Sequence, residues 1–312
     1  MVRCAVLDDY QDVALTAADW GRLDVESIRW HIDSEDALVD ALRDFEVVVV
    51  MRERTPMTAS LLARLPKLRL LVTTGMRNAS IDLAAAAEHG IVVCGTASHS
   101  EPPVELTWAL ILGLARHVVT ENNALRAGKW QVTVGADLAG RTLGLVGLGK
   151  IGSRVAAIGR AFGMNVLAWS QNLTPERAEA AGATLVSKDE LLAASDFVSV
   201  HVVLSDRTRG LLDADALARM KPTAYLINTS RAAVVDQQAL ITALDEGRIA
   251  GAGLDVFDVE PLPERHPFRK LPNVLATPHL GYVSERNYAG YFREAVEDIE
   301  AFLAGSPIRV LG

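Results

Sequence analysis

The chain carries three glycines whose spacing is suited to binding a dinucleotide. The stretch TLGLVGLGKIG contains the pattern G-x-G-x-x-G at Gly147, Gly149 and Gly152, after an apolar run and before a helical pattern. The first glycine permits a tight turn, the second lets the backbone approach a pyrophosphate at a helix N-terminus, and the third allows the helix to pack closely on the strand. An unusually glycine-rich helix start is the alternative, but the strand–turn–helix context favours a dinucleotide site.

The position that would contact the adenosine ribose of such a dinucleotide carries no acid. An Asp or Glu about 20 residues beyond the glycines normally binds the ribose 2′-hydroxyl, but the chain has Ser170, Gln171 and Asn172 there. Since a carboxylate would repel a 2′-phosphate, either its absence admits NADP or these polar side chains hold the free ribose of NAD. NADP recognition normally needs a nearby arginine, and none occurs before Arg177. We therefore expect NAD, with NADP as the open alternative.

Short apolar runs that alternate with stretches of helical period must position this site. The runs lie at 4–9, 45–50, 68–74, 90–95, 142–147, 165–170, 183–187, 197–203, 224–230, 252–257 and 273–279. Their near-continuous hydrophobicity is typical of parallel strands that are covered on both faces. Strands that alternate with helices predict doubly wound α/β sheets with right-handed crossovers.

Four of the helical stretches are well defined, at 36–44, 57–65, about 101–126 and about 284–304. Thr58 is a candidate cap for the second helix, which Pro66 should end. The third helix opens with EPPVE, which suits a first helical turn because proline lacks the amide donor that would have no partner there. Its stretch LTWALILGLARHV is apolar nearly all round, so we expect this helix to be buried between two bodies.

The bulk composition indicates an ordinary globular protein of two domains. A chain of 312 residues, half of them hydrophobic, is too long for one small core. The net charge is −8 and no basic block is present, so nucleic acid is not an expected partner and local arginines must capture any acidic substrate. Without a signal-peptide core or a run of ~18 apolar residues, we expect a cytoplasmic protein with no membrane contact. Cys4 and Cys94 lie in apolar runs and are expected to be buried thiols, with no metal site.

Three further stretches follow the glycines in a specific order. They are LINTSRAAVVDQQAL (226–240), GLDVFDVEPLP (253–263) and ATPHLGY (276–282). With them, the chain resembles the D-isomer-specific 2-hydroxyacid dehydrogenase family over essentially its whole length. The resemblance implies an oxidoreductase that transfers a hydride between a nicotinamide cofactor and a small D-2-hydroxy acid or 2-oxo acid. The family also includes a transcriptional corepressor that keeps the fold, so an NAD(H)-sensing binding protein is the alternative function.

The resemblance also implies how the chain is divided. A Rossmann-type cofactor domain, 101–283, would be inserted into a flavodoxin-like substrate domain made of 1–100 plus 284–312. Both domains would be doubly wound parallel sheets, and the cleft between them would be the active site. A homodimer is expected as well, with 101–126 and 129–140 as candidate contacts.

Carried over position by position, the resemblance makes Arg231 the substrate-binding arginine, Glu260 the acid partner and His279 the general acid/base. The chemistry of these residue types agrees with those roles. A guanidinium can hold the carboxylate of a 2-oxo acid with two donors and polarise its carbonyl. Histidine ordinarily titrates near neutral pH and so can protonate the substrate oxygen, and a neighbouring carboxylate favours the imidazolium. Each residue alone has an ordinary alternative, as a surface arginine, a loop acid or a structural histidine.

The glycine pattern and the resemblance together predict the cofactor contacts. These are Gly147, Leu148, Gly149, Lys150, Ile151, Gly152, Ser170, Gln171, His201, Thr229, Ser230, Asp255 and Gly281. Asp255 resembles the residue that holds the nicotinamide side of the cofactor, and His201 is expected to be structural or adjacent to the cofactor. The chain departs from the family pattern at Ala232, where glycine is usual, and at Val203, where proline is common. Neither departure removes a chemical group.

The predicted substrate contacts lie in the first third of the chain. The stretch TTGMRNASID resembles the family's glycine-rich turn, whose amides hold the substrate carboxylate, and it contains Gly75, Met76 and Arg77. Arg52 lies just past a strand end, where the family contacts its substrate. Our hypothesis is that Arg52 and Arg77 add positive charge that favours a second anionic group, such as a phosphate or another carboxylate. The alternative is that Arg77 faces solvent and Arg52 pairs with Glu53.

Overall fold

The computed structural model describes residues 1–312, which divide into two compact units. The first unit is Met1–His99 together with Val283–Gly312, and the second is Ser100–Tyr282. The elements of the first unit are β1 (Arg3–Val6), α1 (Ala14–Ala17), β2 (Asp24–Ser27), α2 (Glu35–Leu42), β3 (Val47–Val50), α3 (Ala59–Ala63), β4 (Leu70–Thr73), α4 (Leu83–Glu88), β5 (Val92–Gly95) and, at the end of the chain, α12 (Glu285–Leu303).

The five strands of the first unit form one parallel sheet in the order β2-β1-β3-β4-β5. This is the flavodoxin-like order, as expected from the sequence. β3 is four buried valines, which agrees with a central strand that is covered on both faces. β2 was not predicted, because its sequence DVES is polar and lies half exposed at the sheet edge.

The helix ends of the first unit follow from local chemistry. The Thr58 hydroxyl accepts from the amide of Leu61 at 3.1 Å, and α3 ends shortly before Pro66, so the predicted cap is confirmed. The Ser284 hydroxyl caps α12 in the same way. After α12 the chain returns to the open edge of the sheet, where Leu311 donates to the carbonyl of Val93 at 2.8 Å. This antiparallel contact was not predicted.

The second unit contains the remaining elements. They are α5 (Glu101–Ala115), α6 (Val118–Arg126), β6 (Thr142–Val146), α7 (Lys150–Ala161), β7 (Asn165–Trp169), α8 (Pro175–Ala180), β8 (Thr184–Leu185), α9 (Lys188–Ala194), β9 (Phe197–Val200), α10 (Ala214–Ala218), β10 (Tyr225–Asn228), α11 (Gln237–Asp245), β11 (Gly251–Leu254) and β12 (Val274–Ala276), with 3-10 turns at Ala232–Val234 and Pro267–Arg269.

The seven strands of this unit form a parallel sheet in the order β12-β11-β10-β9-β6-β7-β8. Read from β8, it is the Rossmann order, so the predicted fold class is confirmed. The order reverses between β6 and β9, and open α/β sheets bind their ligands beyond the carboxyl ends of the strands at such a point. The glycine pattern begins directly after β6 and His201 directly after β9.

The expectation of one buried helix over 101–126 is wrong. His117 adopts a left-handed φ of 49°, which separates α5 from α6. α5 is buried through Trp108, Ile111 and Leu114 among others and packs on the sheet of its own unit. α6 has no buried residue, because its sequence VVTENNALR has no apolar face of helical period. No helix of the chain combines the length and the apolar character needed to cross a bilayer.

Candidate active site

The glycine turn after β6 leaves open space only at its second glycine. Gly147 has a φ of 107°, and a Cβ there would lie 2.7 Å from the backbone carbonyl carbon of His201. A Cβ on Gly152 would overlap the carbonyl oxygen of Gly147, whereas one on Gly149 would meet no atom within 4 Å. No side chain caps α7, which begins beside Gly149. The turn therefore fits a dinucleotide pyrophosphate, which the first amides of α7 would hold. The remaining predicted contacts here are Leu148, Lys150 and Ile151.

The turn after β7 carries the residues expected at the adenosine ribose. The amide of Leu173 donates to the carbonyl of Ser170 at 3.1 Å and closes the turn. Ser170 is partly buried and Gln171 is exposed, and neither side chain makes a hydrogen bond within the chain. Both side chains are thus available to a ribose at this position.

His201 lies against the glycine turn as a neutral residue. Its Nε2 and the Ser199 hydroxyl are 2.9 Å apart, and burial lowers the pKa of His201 to about 4. The ring is therefore uncharged at neutral pH and adds no positive charge to the pyrophosphate position. Its backbone instead occupies the space beside Gly147.

The three predicted catalytic residues follow three neighbouring strands. Arg231 follows β10, Glu260 follows β11 and His279 follows β12, and these strands are adjacent in the sheet. Because the carboxyl ends of parallel strands meet at one edge of a sheet, all three residues lie at the same edge. This is also the edge that carries the glycine turn.

Glu260 and His279 form a hydrogen-bonded pair. His279 Nδ1 lies 2.7 Å from Glu260 Oε2, and the other oxygen of Glu260 accepts from the amide of Phe257 at 2.9 Å. His279 has a left-handed φ of 53°, and its ring meets Tyr282 edge-on with centroids 5.3 Å apart. Its Nε2 has no hydrogen-bond partner in the chain. The carboxylate thus fixes one ring nitrogen and leaves the other for a substrate.

Asp255 holds the loop that carries His279. It is fully buried, and its carboxylate accepts from the Thr277 hydroxyl at 2.6 Å and from the amides of Leu280 and Gly281 at 2.7 and 2.8 Å. Burial raises the pKa of Asp255, while these donors and the charge of His279 act to lower it. In the structure the carboxylate of Asp255 thus contacts the loop 277–281, which carries His279.

Arg231 is placed by a short network after β10. Asn228 donates to the carbonyl of Arg231 and accepts from the amide of Ser230, both at 3.0 Å, and Arg231 Nη1 donates to the carbonyl of Ser230 at 2.8 Å. The Ser230 hydroxyl donates to the carbonyl of Val202 at 2.6 Å, and the Thr229 and Thr107 hydroxyls are 2.8 Å apart. These contacts tie the predicted residues Thr229 and Ser230 to neighbouring segments of the unit.

The predicted substrate contacts lie at the carboxyl ends of β3 and β4 in the first unit. Arg52 has a φ of 53°, and its Nη1 donates to the carbonyl of Thr74 at 3.2 Å and to the Ser98 hydroxyl at 3.4 Å. Its Nε lies 3.9 Å from the carboxylate of Glu53, so the pairing held as the alternative is present. A Cβ on Gly75 would overlap the Arg52 guanidinium, so only glycine lets the arginine lie over this turn.

One part of the turn 73–82 is fixed by hydrogen bonds, and another part is exposed to solvent. Gly75 donates to the Thr96 hydroxyl at 3.1 Å, and Asn78 donates to the carbonyl of Arg52 at 2.6 Å. Met76 and Arg77 are exposed. Asn78 joins the ends of β3 and β4, and sequence reasoning missed it, as it missed Asn228 and Thr277. All three are polar residues within or just after an apolar run, which is the sequence signal that could have identified them.

The chain is similar in sequence and in structure to known 2-hydroxyacid dehydrogenases and reductases. A family model described as D-isomer specific 2-hydroxyacid dehydrogenase, NAD binding domain, matches residues 108–281. A glyoxylate reductase of Korarchaeum cryptofilum is 37% identical over 279 residues, which are 87% of this chain and 84% of that protein. A D-3-phosphoglycerate dehydrogenase of Synechocystis sp. is 36% identical and matches 88% of this chain, which spans only about half of that protein, 50%. The solved structure of a phosphoglycerate oxidoreductase of Vibrio cholerae matches with a TM-score of 0.93 and 38% identity, covering 98% of this chain and 100% of that one.

Proposed function

Because the chain belongs to the D-isomer specific 2-hydroxyacid dehydrogenase family, we propose that it interconverts a small 2-oxo acid and the D-2-hydroxy acid. The family and its NAD cofactor, both expected from the sequence, are confirmed. The observation that carries the proposed activity is the 2.7 Å contact of Glu260 with His279, in the unit that also contains the glycine turn. The relatives are named dehydrogenases and reductases, so a protein that only senses NAD(H) is not favoured.

Each catalytic residue has a separate task in the proposed reaction. NAD held at the glycine turn and the first amides of α7 would supply or accept the hydride. Arg231 binds the substrate carboxylate and polarises the adjacent carbonyl. His279 donates a proton from Nε2 to the carbonyl oxygen during reduction and takes it back during oxidation. Glu260 accepts from Nδ1, holds the ring and stabilises its positive charge, while Asp255 fixes the loop that carries it.

The proposal is tested by NADH oxidation with a panel of 2-oxo acids. Glyoxylate, pyruvate, hydroxypyruvate and 3-phosphohydroxypyruvate are offered to the purified chain at equal concentrations. We expect turnover with at least one of them, and a D-configured product from any of them except glyoxylate, whose product is achiral. Tight NADH binding without turnover of any 2-oxo acid would instead favour the sensing protein.

The substrate is proposed to carry a second anionic group. Arg52 supports this, because its guanidinium lies over Gly75 in the turn that resembles the family's carboxylate-binding turn. Arg77 is exposed and is assigned the weaker contribution. The test compares kcat/KM for hydroxypyruvate and 3-phosphohydroxypyruvate in the native chain, in Arg52→Ala and in Arg77→Ala. Arg52→Ala should reduce the phosphorylated substrate's kcat/KM more than that of hydroxypyruvate, and an unchanged preference would contradict the idea.

A homodimer is proposed from an ordered apolar face of the second unit. α6 and the segment after it expose Trp130 at 77% and Val134 at 94%. The segment is not loose, because Glu121 of α6 accepts from the amides of Val132 and Thr133 at 3.0 and 2.6 Å. An ordered, exposed apolar surface of this kind is typical of a protein–protein contact, and a second copy of the chain is the proposed partner.

The cytoplasm is the proposed location. Cys4 and Cys94 are both buried and unpaired, and burial raises the pKa of the Cys4 thiol to about 12 and that of Cys94 to about 11. Unreactive free thiols and the use of NAD both suit a reducing compartment. Secretion of the active chain with these thiols oxidised would contradict it.

A further inference from the structure

The fold brings Arg177 against the turn that follows β7. Arg177 lies in the first turn of α8, seven positions beyond Ser170 in the chain. Its guanidinium turns back toward the β7 end, where Nη1 donates to the carbonyl of Asn172 at 3.5 Å. The turn closed between Ser170 and Leu173 brings the two segments together. Arg177 therefore lies beside the turn that carries Ser170, Gln171 and Asn172.

This arginine is not neutralised by a neighbouring acid. No Asp or Glu occurs from Asn165 to Pro175, and Arg177 forms no salt bridge in the chain. Glu176 is the nearest acid in sequence, and its carboxylate is held at the start of α8 by the Thr174 hydroxyl, which lowers the pKa of Glu176.

The turn is otherwise a set of donors without partners. The side chains of Ser170, Gln171 and Asn172 make no hydrogen bond within the chain, and the amides of Gln171 and Asn172 have no backbone acceptor. The turn thus carries a hydroxyl, two carboxamides and two backbone amides, and the Arg177 guanidinium contacts its Asn172 carbonyl. A 2′-phosphate offers three acceptor oxygens and up to two negative charges, which charge-assisted hydrogen bonds of this kind hold strongly.

We propose that this turn binds the 2′-phosphate of NADPH, with Arg177 as the residue that determines specificity, so that the chain accepts NADPH as well as NADH. The proposal rests on the proposed function, because it concerns the same cofactor site. It adds NADPH to the NAD cofactor that was expected because no arginine occurs before Arg177. Gly149 and the uncapped start of α7 hold the part of the molecule that the two cofactors share.

The test measures binding of the ribose end without any oxo acid. Calorimetry compares adenosine 2′,5′-bisphosphate with 5′-AMP, which differ only in the 2′-phosphate, and fluorescence titration compares NADPH with NADH. In the native chain the 2′-phosphorylated member of each pair should bind within about 10-fold of its counterpart or more tightly. Arg177→Ala should weaken the 2′-phosphorylated members by about 10-fold or more and their counterparts by less than about 3-fold, the size of one charge-assisted contact.

Two further variants make the result specific. Ser170→Asp restores the acid at the ribose position and should weaken NADPH by about 10-fold or more while NADH still binds. Arg219→Ala removes an exposed arginine of the same unit that pairs with Asp189, and it should change neither cofactor. Equal losses of both cofactors in Arg177→Ala, or a native preference for 5′-AMP above about 100-fold, would overturn the proposal. Since no turnover is measured, a chain inactive on every 2-oxo acid would refute the proposed function and leave this result standing.

Discussion

His279 is the residue whose removal should separate chemistry from cofactor binding. Its Nδ1 is held by Glu260 at 2.7 Å, and its Nε2 is the atom assigned to the substrate oxygen. General acid–base catalysis contributes ~10²–10⁴-fold, so His279→Ala should lower kcat for reduction by about 100-fold or more. The dissociation constant of NADH, measured by fluorescence titration, should stay nearly unchanged. His89→Ala, at an exposed histidine of the first unit, is the control, and loss of NADH binding as the main defect would contradict the role.

Asp255 should act on kcat through the position of His279. Asp255→Asn replaces one carboxylate oxygen by an amide donor that faces the amide of Gly281, so the loop 277–281 should shift. We expect kcat to fall by about 10-fold or more with little change in NADH affinity, since ~1 Å displacements are costly in catalysis. Thr277→Val should reproduce part of the loss and Thr277→Ser should restore it, which a general loss of folding would not do.

The control for this prediction is Asp196→Asn. Asp196 is a partly buried acid of the same unit that accepts from the amide of Thr142 at 2.8 Å and from Lys221 at 3.0 Å. It belongs to none of the loops that carry the catalytic residues, so its loss should reduce stability and leave kcat near the native value. Equal effects of the two substitutions on kcat would show that Asp255 has no special position.

The sequence identifies candidate catalytic residues but not the residues that position them. Arg231, Glu260 and His279 were identifiable because their types and order match a known pattern. Asn228, Thr277 and Asn78 act through single hydrogen bonds to neighbouring strands or loops. Such hydrogen-bond partners depend on which segments the fold brings together. The sequence signal is also unspecific, because many polar residues beside apolar runs do not position a catalytic residue.

Asp298 should make the stability of α12 depend on pH. It is fully buried, Arg309 Nε donates to one oxygen at 2.9 Å, and the other oxygen has no hydrogen-bond partner. Burial raises the pKa of Asp298 from 3.8 to about 7; Arg309 opposes this rise, while Glu294 and Glu297 add to it. Because the folded value lies above the ordinary one, this residue's contribution to stability is fully present below pH 3.8 and is lost as the pH rises through about 7.

Asp298→Asn should therefore change the pH dependence of stability. The variant keeps the shape of the neutral acid but cannot ionise. The difference in Tm between the variant and the native chain should therefore increase from about pH 5 to about pH 8. Circular dichroism melting curves at several pH values measure this. In Asp196 burial opposes ionisation, but Thr142 and Lys221 outweigh it and lower the pKa. Asp196→Asn should thus lower Tm about equally across this range, and parallel curves for both variants would refute the account.

The elements that were predicted correctly are those whose pattern and end signals agree. α3 and α12 have hydroxyl caps, and the valines of β3 are buried as their run suggested. β2 was not predicted, because an edge strand does not need a continuous apolar run. The break between α5 and α6 was not predicted either. A single residue with a left-handed backbone, His117, interrupts the helical pattern there, and no proline or glycine marks the position.

At the scale of the whole molecule, the fold class followed from the rhythm of strands and helices. Two parallel sheets with helical crossovers are nearly dictated by buried runs that alternate with helical stretches. Which apolar residues are exposed on the surface is harder to predict, because an apolar residue next to a polar one in the sequence can be either buried or exposed. Six apolar residues of the candidate dimer contacts 101–126 and 129–140 are exposed in the single chain: Val118, Val119, Leu125, Trp130, Val132 and Val134.

These six residues should hold two copies of the chain together. Their segments are ordered by the hydrogen bonds of Glu121, so little conformational entropy is lost when a partner covers them. Trp130→Asp combined with Val134→Asp places two charges in the proposed contact and should convert a dimer to a monomer in light scattering at about 10 μM, with enzymatic activity recorded in parallel. Trp30→Asp, which alters an exposed tryptophan of the first unit, should leave the dimer intact. A native chain that is monomeric at this concentration, or a double variant that stays dimeric, would exclude this face as the contact.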